Sequence, residues 1–395
     1  MVEIHGFCDE RFQPLADAFR ANFDAGLDQG ASLAATLHGD PVVDLWGGTR
    51  DFERSIEWDA DTVVRVFSTS KVMVILCILM LADRGLLDLE EPIASYWPDF
   101  ARNGKETITT RQVLVHRSGL PGFGRAVSFG DMAHWDETVG VLEDAEPWYE
   151  PDTISCYHPM TYGFLLGEVV RRLAGVSFVE FFRSEITGPL AADFSFALTA
   201  PVDLARLASL WPPDSAEGDD GVVSDIHIAT ADDMGDRAMG EIDATEWFDS
   251  RFLDVVAPSG SGITNGRALA RIGSIVASNG AVGERRFLSE SIVEAAGTEQ
   301  SFDRDLVLGQ VRYGLGFGLD SKYYRAPTPT TLHWGGFGGS FLTMDPVTGI
   351  SCGFAPSQLH FDGESRADPR RSRFWTLLGE VSDEHFAPRH RRPHD

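Results

Sequence analysis

An uninterrupted apolar stretch, residues 72–82, is the feature that most limits how this chain can fold. It has about half of the ~20 residues that a membrane span needs, so it does not predict a membrane helix. The pattern around it predicts a helix that begins at Ser68 and ends at Gly85. A short β-branched segment, residues 62–67, predicts a strand directly before it. The chain is therefore expected to lead from a strand straight into an apolar helix.

Ser68 and Lys71 lie in the first turn of this helix, at a spacing that places both on one face. The helix N-terminus carries partial positive charge and free N–H groups, which favour an anionic serine and a neutral lysine. The apolar run behind Lys71 predicts desolvation, which lowers the pKa of a lysine and makes it a usable base. The pair therefore predicts a serine nucleophile with a lysine base, and the Ser68 N–H is a candidate donor to an oxyanion.

Lysine is scarce in this chain, which makes Lys71 informative. The chain has 33 basic residues, of which only Lys71, Lys105 and Lys322 are lysines. Arginine could not replace lysine as a base, because it does not deprotonate in proteins. A chance pairing of a surface serine with a surface lysine is the alternative, but the strand before the pair and the apolar helix after it argue against chance.

A second serine motif, Gly349-Ile-Ser351-Cys-Gly353, matches the G-x-S-x-G nucleophile elbow of α/β-hydrolases. That motif needs a strand, a sharp turn and then a helix. Here it lies within an alternating strand pattern, and the residues that follow contain Pro356 and have no helical period. Ser351 is therefore not expected to be the nucleophile.

The amino-acid composition excludes a disordered chain and argues against several kinds of partner. The 26 Phe, 9 Trp and 7 Tyr among 395 residues require burial and exclude a mainly disordered chain. The net charge of −27 argues against nucleic acid or an anionic membrane surface as the partner. The four cysteines, and the His, Asp and Glu residues, lack metal-ligand or disulfide spacing, so we expect free thiols and no metal or cofactor. Residues 1–23 have no apolar segment of the signal-peptide kind, so we expect a cytoplasmic protein. We expect the acidic residues 214–233 to form a solvated surface.

Periodicity predicts strands near both ends of the chain and helices between them. Residues 31–46 read as a hairpin, and residues 313–319, 331–334, 340–344 and 350–355 alternate with a period of two. Residues 10–27, 160–174 and 373–381 have helical periods, and the tail from residue 388 is charged. This order predicts an α/β fold in which the two ends of the chain build one domain and a mainly helical domain is inserted between them.

Several motifs together resemble the serine β-lactamase and penicillin-binding-protein superfamily, in particular its C-type lactamases and family VIII carboxylesterases. They occur in the order expected of that superfamily between about residues 30 and 360, and are found at residues 67–71, 81–89, 96–98, 114–121, 157–159, 162–167 and 334–340. The resemblance implies an antiparallel sheet flanked by helices. It assigns residues 1–80 and 255–395 to a discontinuous α/β domain and residues 81–254 to the helical domain, with the active site in the cleft between them.

The resemblance also assigns roles to individual residues. It implies that Ser68 is the acylated nucleophile, that Lys71 shares its proton, and that Tyr157 acts with Lys71 as base and then as acid to the leaving group. The last motif of the series, called the third motif below after Ser68-x-x-Lys71 and the Tyr157 motif, is Trp334-Gly335-Gly336 or, in another register, His333-Trp334-Gly335. The run of glycines favours the first register, which makes the N–H of Phe337 the second oxyanion donor.

Two departures from the superfamily pattern bear on the substrate. Pro159 stands where lactamases have an asparagine, and Trp334-Gly335 stands where they have Lys-Thr to hold a carboxylate. A missing charge-assisted partner is worth roughly 1.5–3 kcal/mol, or one to two decades in affinity. Hydrolysis of β-lactams is therefore expected to be weak or absent. Trp334 instead supplies an apolar wall that suits neutral acyl or aryl groups.

The resulting prediction is a serine carboxylesterase for esters of small or medium acyl chains, with a small-molecule substrate and no nucleic-acid or membrane partner. An amidase, D-aminopeptidase or acyltransferase on the same scaffold, a weak β-lactamase, and a protein that traps an acyl group without turnover remain alternatives. His158 is a candidate neighbour of the pocket, His116 is expected to hydrogen-bond within a loop, and Tyr157 alone could be a core aromatic residue. The oligomeric state is not predicted.

Overall fold

The computed structural model describes residues 2–212, 233–240, 246, 248–360 and 368–386. The strands are β1 Ile4–Cys8, β2 Gly30–Leu37, β3 Asp40–Gly48, β4 Val64–Arg65, β5 Phe194–Ser195, β6 Ile263–Thr264, β7 Ala281–Val282, β8 Arg285–Arg286, β9 Ser301–Asp305, β10 Gly309–Tyr313, β11 Leu332–Gly335, β12 Phe341–Asp345 and β13 Ile350–Pro356. The helices are α1 Gln13–Asp24, α2 Lys71–Asp83, α3 Thr110–Leu114, α4 Phe129–Met132, α5 Trp135–Asp144, α6 Thr161–Ala174, α7 Phe178–Phe182, α8 Gly188–Leu190, α9 Pro201–Leu204, α10 Asp233–Gly240, α11 Gly266–Ala277, α12 Glu290–Gly297 and α13 Pro369–His385.

A six-stranded antiparallel sheet joins the two ends of the chain. Its strand order is β1-β3-β2-β13-β12-β11, so β2 near the N-terminus pairs with β13 near the C-terminus. Helices α1 and α13 pack against each other on one face, and α11 packs against β2, β12 and β13 on the other. This is the antiparallel sheet flanked by helices that the resemblance implied.

The second serine motif lies in the sheet, and its glycines have structural explanations. Ser351 is a fully buried residue of β13. Gly349 forms the preceding turn with a φ of +77°, a conformation that favours glycine. A Cβ at Gly353 would lie 2.4 Å from the Cβ of Leu269 in α11, so the missing side chain lets the helix approach the sheet. The expectation that Ser351 is no nucleophile agrees with this position.

Helix α2 carries the apolar run and is buried on every side: its residues from Lys71 to Leu81 are all buried. It follows β4 through a 3₁₀ turn, Phe67–Ser70, and packs against α6. A helix that is apolar around its whole circumference needs packing on all faces. The first residues of α2 are therefore held at the centre of the molecule, where the 3₁₀ turn presents Ser68.

Two predicted strands are shorter or displaced. Of residues 62–67 only Val64–Arg65 is a strand, because its partner β6 has just two residues. Residues 314–317 form a bend rather than a strand, because β10 ends at Tyr313 and Gly316 has a φ of +85°. Gly318 then makes isolated β-bridges with Tyr313 and His333. The alternating apolar residues there are buried in a loop, which a period of two cannot distinguish from a strand.

The division of the chain into two domains stays a prediction. Its boundary at residues 80–81 falls within the continuous helix α2.

Two other expectations fall on residues outside the described part of the chain, namely most of the acidic segment 214–233 and the tail from residue 388. Among the described residues, no helix combines the length and apolarity that crossing a membrane requires. The cytoplasmic location likewise stays a prediction.

Candidate active site

The turn that carries Ser68 is tied to the rest of the structure on both sides. Phe67, the residue before it, has a φ of +47°, a conformation that is strained for a bulky residue. The Ser70 hydroxyl donates to the Phe67 carbonyl and accepts from the Gly262 N–H at 3.0 Å. The Ser340 hydroxyl donates to the Val66 carbonyl at 2.7 Å. Since Gly262 and Ser340 belong to distant segments, their contacts hold the strained turn in place. Ser68 itself stays partly exposed.

Lys71 is fully buried, and its amine has three oxygen neighbours. The Nζ lies 3.3 Å from the Ser68 Oγ, 2.8 Å from the Pro159 carbonyl oxygen and 3.1 Å from the Ser259 carbonyl oxygen. Burial lowers the pKa of Lys71 well below its ordinary value. A neutral amine has two N–H donors and one lone pair, so the two carbonyls can accept both hydrogens while the lone pair faces Ser68.

Tyr157 reaches Ser68 from the other side. Its hydroxyl donates to the Ser68 Oγ at 2.7 Å, and its ring centroid lies 4.7 Å from the Lys71 Nζ. Burial raises the pKa of Tyr157, partly opposed by its hydrogen bond to Ser68. A desolvated phenol and a desolvated amine both favour their neutral forms, which suits a proton donor and a proton acceptor on either side of one hydroxyl.

The glycine-rich loop after β11 crosses over the nucleophile turn. A Cβ at Gly336 would lie 2.1 Å from the Val66 carbonyl oxygen, so only glycine permits this approach. The next residue, Phe337, packs its ring edge-on against Phe67 at 5.5 Å between centroids. Positive φ angles of +80° at Gly338 and +113° at Gly339 then turn the chain into β12. This path brings the backbone of Phe337 beside the turn that carries Ser68.

A buried ionic cluster holds the far end of this loop. Arg370, at the start of α13, is fully buried and pairs with Asp28 and with Asp368. One of its N–H groups donates to the Gly338 carbonyl at 2.7 Å. Removing one member of a buried ionic cluster leaves an uncompensated charge, so the cluster is costly to disturb and supports the loop rigidly.

The cavity in front of Ser68 has a volume of about 260 Å³. Its wall includes Ser68, Tyr157 and the residues of the third motif, His333 to Gly336, followed by Phe337. Its apolar part is formed by Met160, Met239, Phe248, Val307, Leu308 and Val311. His360, Asp368 and Arg371 lie at a polar part of the wall. The hydroxyl of Ser68 therefore faces a cavity whose wall is mainly apolar.

The other predicted site residues occupy distinct places. Trp334 packs beside Tyr157, with ring centroids 6.1 Å apart, whereas His333 packs against Trp375 at 4.7 Å. Pro159 is at the cavity wall. His158 is fully buried and is not among the residues that line the cavity. Its Nδ1 donates to the carbonyl of Cys156, two residues earlier in the chain, at 2.7 Å.

Ser259 was not anticipated from the sequence. Its carbonyl accepts from Lys71, while its hydroxyl donates to the Met160 carbonyl and accepts from the Gly163 N–H, each at 2.8 Å. It lies far along the chain in an irregular segment, so no local pattern marks it. Among the described residues, no group of His, Cys, Asp and Glu could hold a metal ion.

Comparison with known proteins identifies the family. Residues 19–374 match the Beta-lactamase family model. The esterase/beta-lactamase LipL of Mycobacterium tuberculosis is 32% identical over 367 residues, which cover 90% of this chain and 83% of LipL. A family VIII carboxylesterase of known structure is 32% identical, with a TM-score of 0.84 over 97% of this chain and 99% of its own.

A penicillin-binding protein homologue from Caulobacter crescentus is similar to the same extent. It is 31% identical and has a TM-score of 0.83 over 96% of this chain and all of its own. The residues that match the family model, 19–374, include every motif described above. The chain is therefore a hydrolase that belongs to the β-lactamase family of serine hydrolases.

Proposed function

We propose that the protein is a carboxylesterase that cleaves esters of small or medium acyl chains through an acyl-enzyme on Ser68. The observation that carries the proposal is the arrangement around one hydroxyl: the Lys71 amine at 3.3 Å and the Tyr157 phenol at 2.7 Å. Both groups are buried and favour their neutral forms. A serine hydroxyl placed between a proton acceptor and a proton donor is an activated nucleophile.

Acylation begins with attack of the Ser68 oxygen on the ester carbonyl carbon. The Ser68 proton passes to the lone pair of Lys71, whose two hydrogens are already held by the Pro159 and Ser259 carbonyls. The backbone N–H groups of Ser68 and Phe337 stabilise the oxyanion that forms. Collapse of this intermediate breaks the bond to the leaving oxygen, which takes the proton of Tyr157. An ammonium at Lys71 and a phenolate at Tyr157 then remain beside the acyl-enzyme.

Deacylation restores the resting state. Water attacks the acyl carbon and gives a proton to the Tyr157 phenolate, while the departing Ser68 oxygen takes a proton from Lys71. The carboxylic acid leaves, and serine, amine and phenol all regain their starting protonation. Protons and charge therefore balance over the cycle without a metal or redox group in these steps.

The apolar part of the cavity supports an uncharged acyl group as the bound portion of the substrate. Burying a methylene group contributes about 0.8 kcal/mol, so each added carbon should tighten binding until the chamber is filled. Trp334, in the position where the superfamily carries a lysine, adds an aromatic wall beside Tyr157. We therefore expect neutral p-nitrophenyl esters to be better substrates than β-lactams such as nitrocefin.

The test is labelling with a fluorophosphonate, followed by peptide mapping, in the wild type and in Ser68→Ala. We expect the label on Ser68 alone, and we expect Ser68→Ala to lose turnover of p-nitrophenyl butyrate while its circular dichroism is unchanged. Ser351→Ala is the matched control, because it removes the serine of the other motif. Near-wild-type turnover by Ser68→Ala, or a label on another residue, would refute the proposal.

A further inference from the structure

The segment that carries Tyr157 has neither helix nor sheet, yet its backbone is closely held. Three successive N–H groups each have a partner at 3.1 Å. Cys156 donates to the His116 carbonyl, Tyr157 donates to the Asp305 carboxylate, and His158 donates to the Nδ1 of His116. His116 and Asp305 therefore provide three hydrogen-bond acceptors: a carbonyl, a ring nitrogen and a carboxylate. In a regular sheet a neighbouring strand would provide the acceptors for these N–H groups.

Asp305 joins this segment to the turn between β9 and β10. Besides the Tyr157 N–H, its carboxylate accepts from the Ser155 hydroxyl at 2.8 Å and from the N–H groups of Val307 and Leu308 at 2.9 Å each. The side chain is fully buried, and burial raises the pKa of Asp305 while these four donors oppose the shift. A buried carboxylate needs such donors, so the four bonds form a mutually dependent set.

His116 reaches the segment from the loop after α3. It is fully buried and has a φ of +58°, a conformation that few side chains tolerate. Its Nδ1 accepts the His158 N–H, so that nitrogen carries no proton. Its ring lies against the Tyr157 ring, with centroids 4.9 Å apart, and therefore contacts both the backbone and the side chain of this segment.

We propose that His116 and Asp305 are positioning residues, which hold the Tyr157 hydroxyl in contact with Ser68 without themselves touching the reacting atoms. This inference rests on the proton-transfer role proposed for Tyr157. A displacement of about 1 Å between reacting groups can cost about 10²-fold in rate. Because the segment is irregular at Tyr157, these two partners hold the backbone N–H groups of Tyr157 and of the residues on either side of it.

Two substitutions at His116 separate its two nitrogens. The side-chain oxygen of asparagine falls near the position of Nδ1, whereas the polar end of glutamine falls near the position of Nε2. His116→Asn can therefore still accept from the His158 N–H, and asparagine also tolerates a positive φ. We expect His116→Asn to remain within about threefold of wild-type kcat for an alkyl butyrate ester and His116→Gln to fall at least about tenfold, with KM little changed.

The decisive measurement repeats each substitution in a Tyr157→Phe background. The readout is kcat/KM for an alkyl ester, whose alkoxide needs a proton to leave, with thermal unfolding as a check on folding. If His116 acts through Tyr157, His116→Gln should lower kcat/KM by less than about twofold once the phenol is gone, because the two effects share one step. An undiminished effect of His116→Gln in that background would overturn the inference, as would equal activity of His116→Asn and His116→Gln.

Asp305→Asn provides a second route if His116→Gln does not fold. It keeps the shape and one acceptor oxygen but places an NH₂ group among four donors, so we expect a lower kcat/KM for the alkyl ester in the wild-type background and no further loss with Tyr157→Phe. The outcomes separate the two proposals. A wild-type kcat/KM of Tyr157→Phe for the alkyl ester would refute the role of Tyr157. A low kcat/KM of Tyr157→Phe with fully multiplicative effects of His116→Gln and Asp305→Asn would refute only the positioning roles.

Discussion

The amine of Lys71 donates a hydrogen bond to the backbone carbonyl of Pro159 at 2.8 Å. In the superfamily pattern this position carries an asparagine, and a proline has no polar side-chain atom to replace it. The backbone nevertheless supplies an acceptor, and the Ser259 carbonyl supplies a second one at 3.1 Å. The loss of the asparagine therefore leaves the lysine oriented, with its lone pair free to face Ser68.

This arrangement predicts that only an amine able to lose its proton will work at position 71. We expect Lys71→Arg to lower kcat for p-nitrophenyl butyrate by at least about 10²-fold, because arginine stays charged and cannot accept a proton. Lys322→Arg is the matched control, since Lys322 is exposed and lies over Tyr323. Comparable activity of the two variants would contradict a base role for Lys71.

The pH dependence of kcat/KM should report the same group. Burial lowers the pKa of Lys71, so the neutral, active form is present well below the ordinary pKa of lysine and is lost as the pH falls through the lowered pKa. Because burial raises the pKa of Tyr157, the phenol keeps its proton across the same range. We therefore expect activity to rise with pH to a plateau that begins below pH 10.5, the ordinary pKa of a lysine side chain. A rise centred at or above that value would show a solvated lysine.

Tyr157 is expected to matter most when the leaving alcohol is poor. We expect Tyr157→Phe to reduce kcat/KM by about 10²–10⁴-fold for alkyl esters, whose alkoxides need a proton to leave. The loss should be smaller for p-nitrophenyl esters, which release a stabilised phenolate. Steady-state kinetics over a series of alcohols measures this, and Tyr323→Phe, at an exposed tyrosine, is the control. An equal loss for every leaving group would remove the acid role.

Gly336 should tolerate no side chain. The Cβ of Gly336→Ala would lie 2.1 Å from the Val66 carbonyl, so the loop must move away from the nucleophile turn and take the Phe337 N–H with it. Losing one oxyanion donor costs about 10²–10³ in kcat. Gly140→Ala, in α5, is the control, because a Cβ there meets no atom within 4 Å. Full activity of Gly336→Ala would separate this loop from the oxyanion.

The sequence predicted the parts of the molecule whose interactions are local. Helices α1, α2, α6 and α13 follow the apolar periods read from the chain. The expected hairpin is β2–β3, and the expected strands at residues 340–344 and 350–355 are β12 and β13. The spacing of Ser68 and Lys71 sufficed to place them together. These features could be read because each depends on neighbours within a few residues, through helical spacing or a tight turn.

The role of Tyr157 was predicted only by the resemblance to the superfamily. Its local pattern would suit a core aromatic residue equally well. Neither approach found Asp305 or Ser259. Asp305 acts from the end of β9 and Ser259 from an irregular segment, on residues about 150 and 190 positions away in the chain. Hydrogen bonds that involve single backbone groups leave no periodic signal.

The amino-acid sequence alone determined the apolar helix that begins at Lys71 and the pairing of Lys71 with Ser68 in the turn before it, because covalent order and helical spacing settle both. Tertiary structure alone decided that two remote carbonyls would hold the Lys71 amine and that a buried histidine and aspartate would hold the Tyr157 segment. The reason is that burial and hydrogen-bond geometry at one atom depend on every segment packed around it.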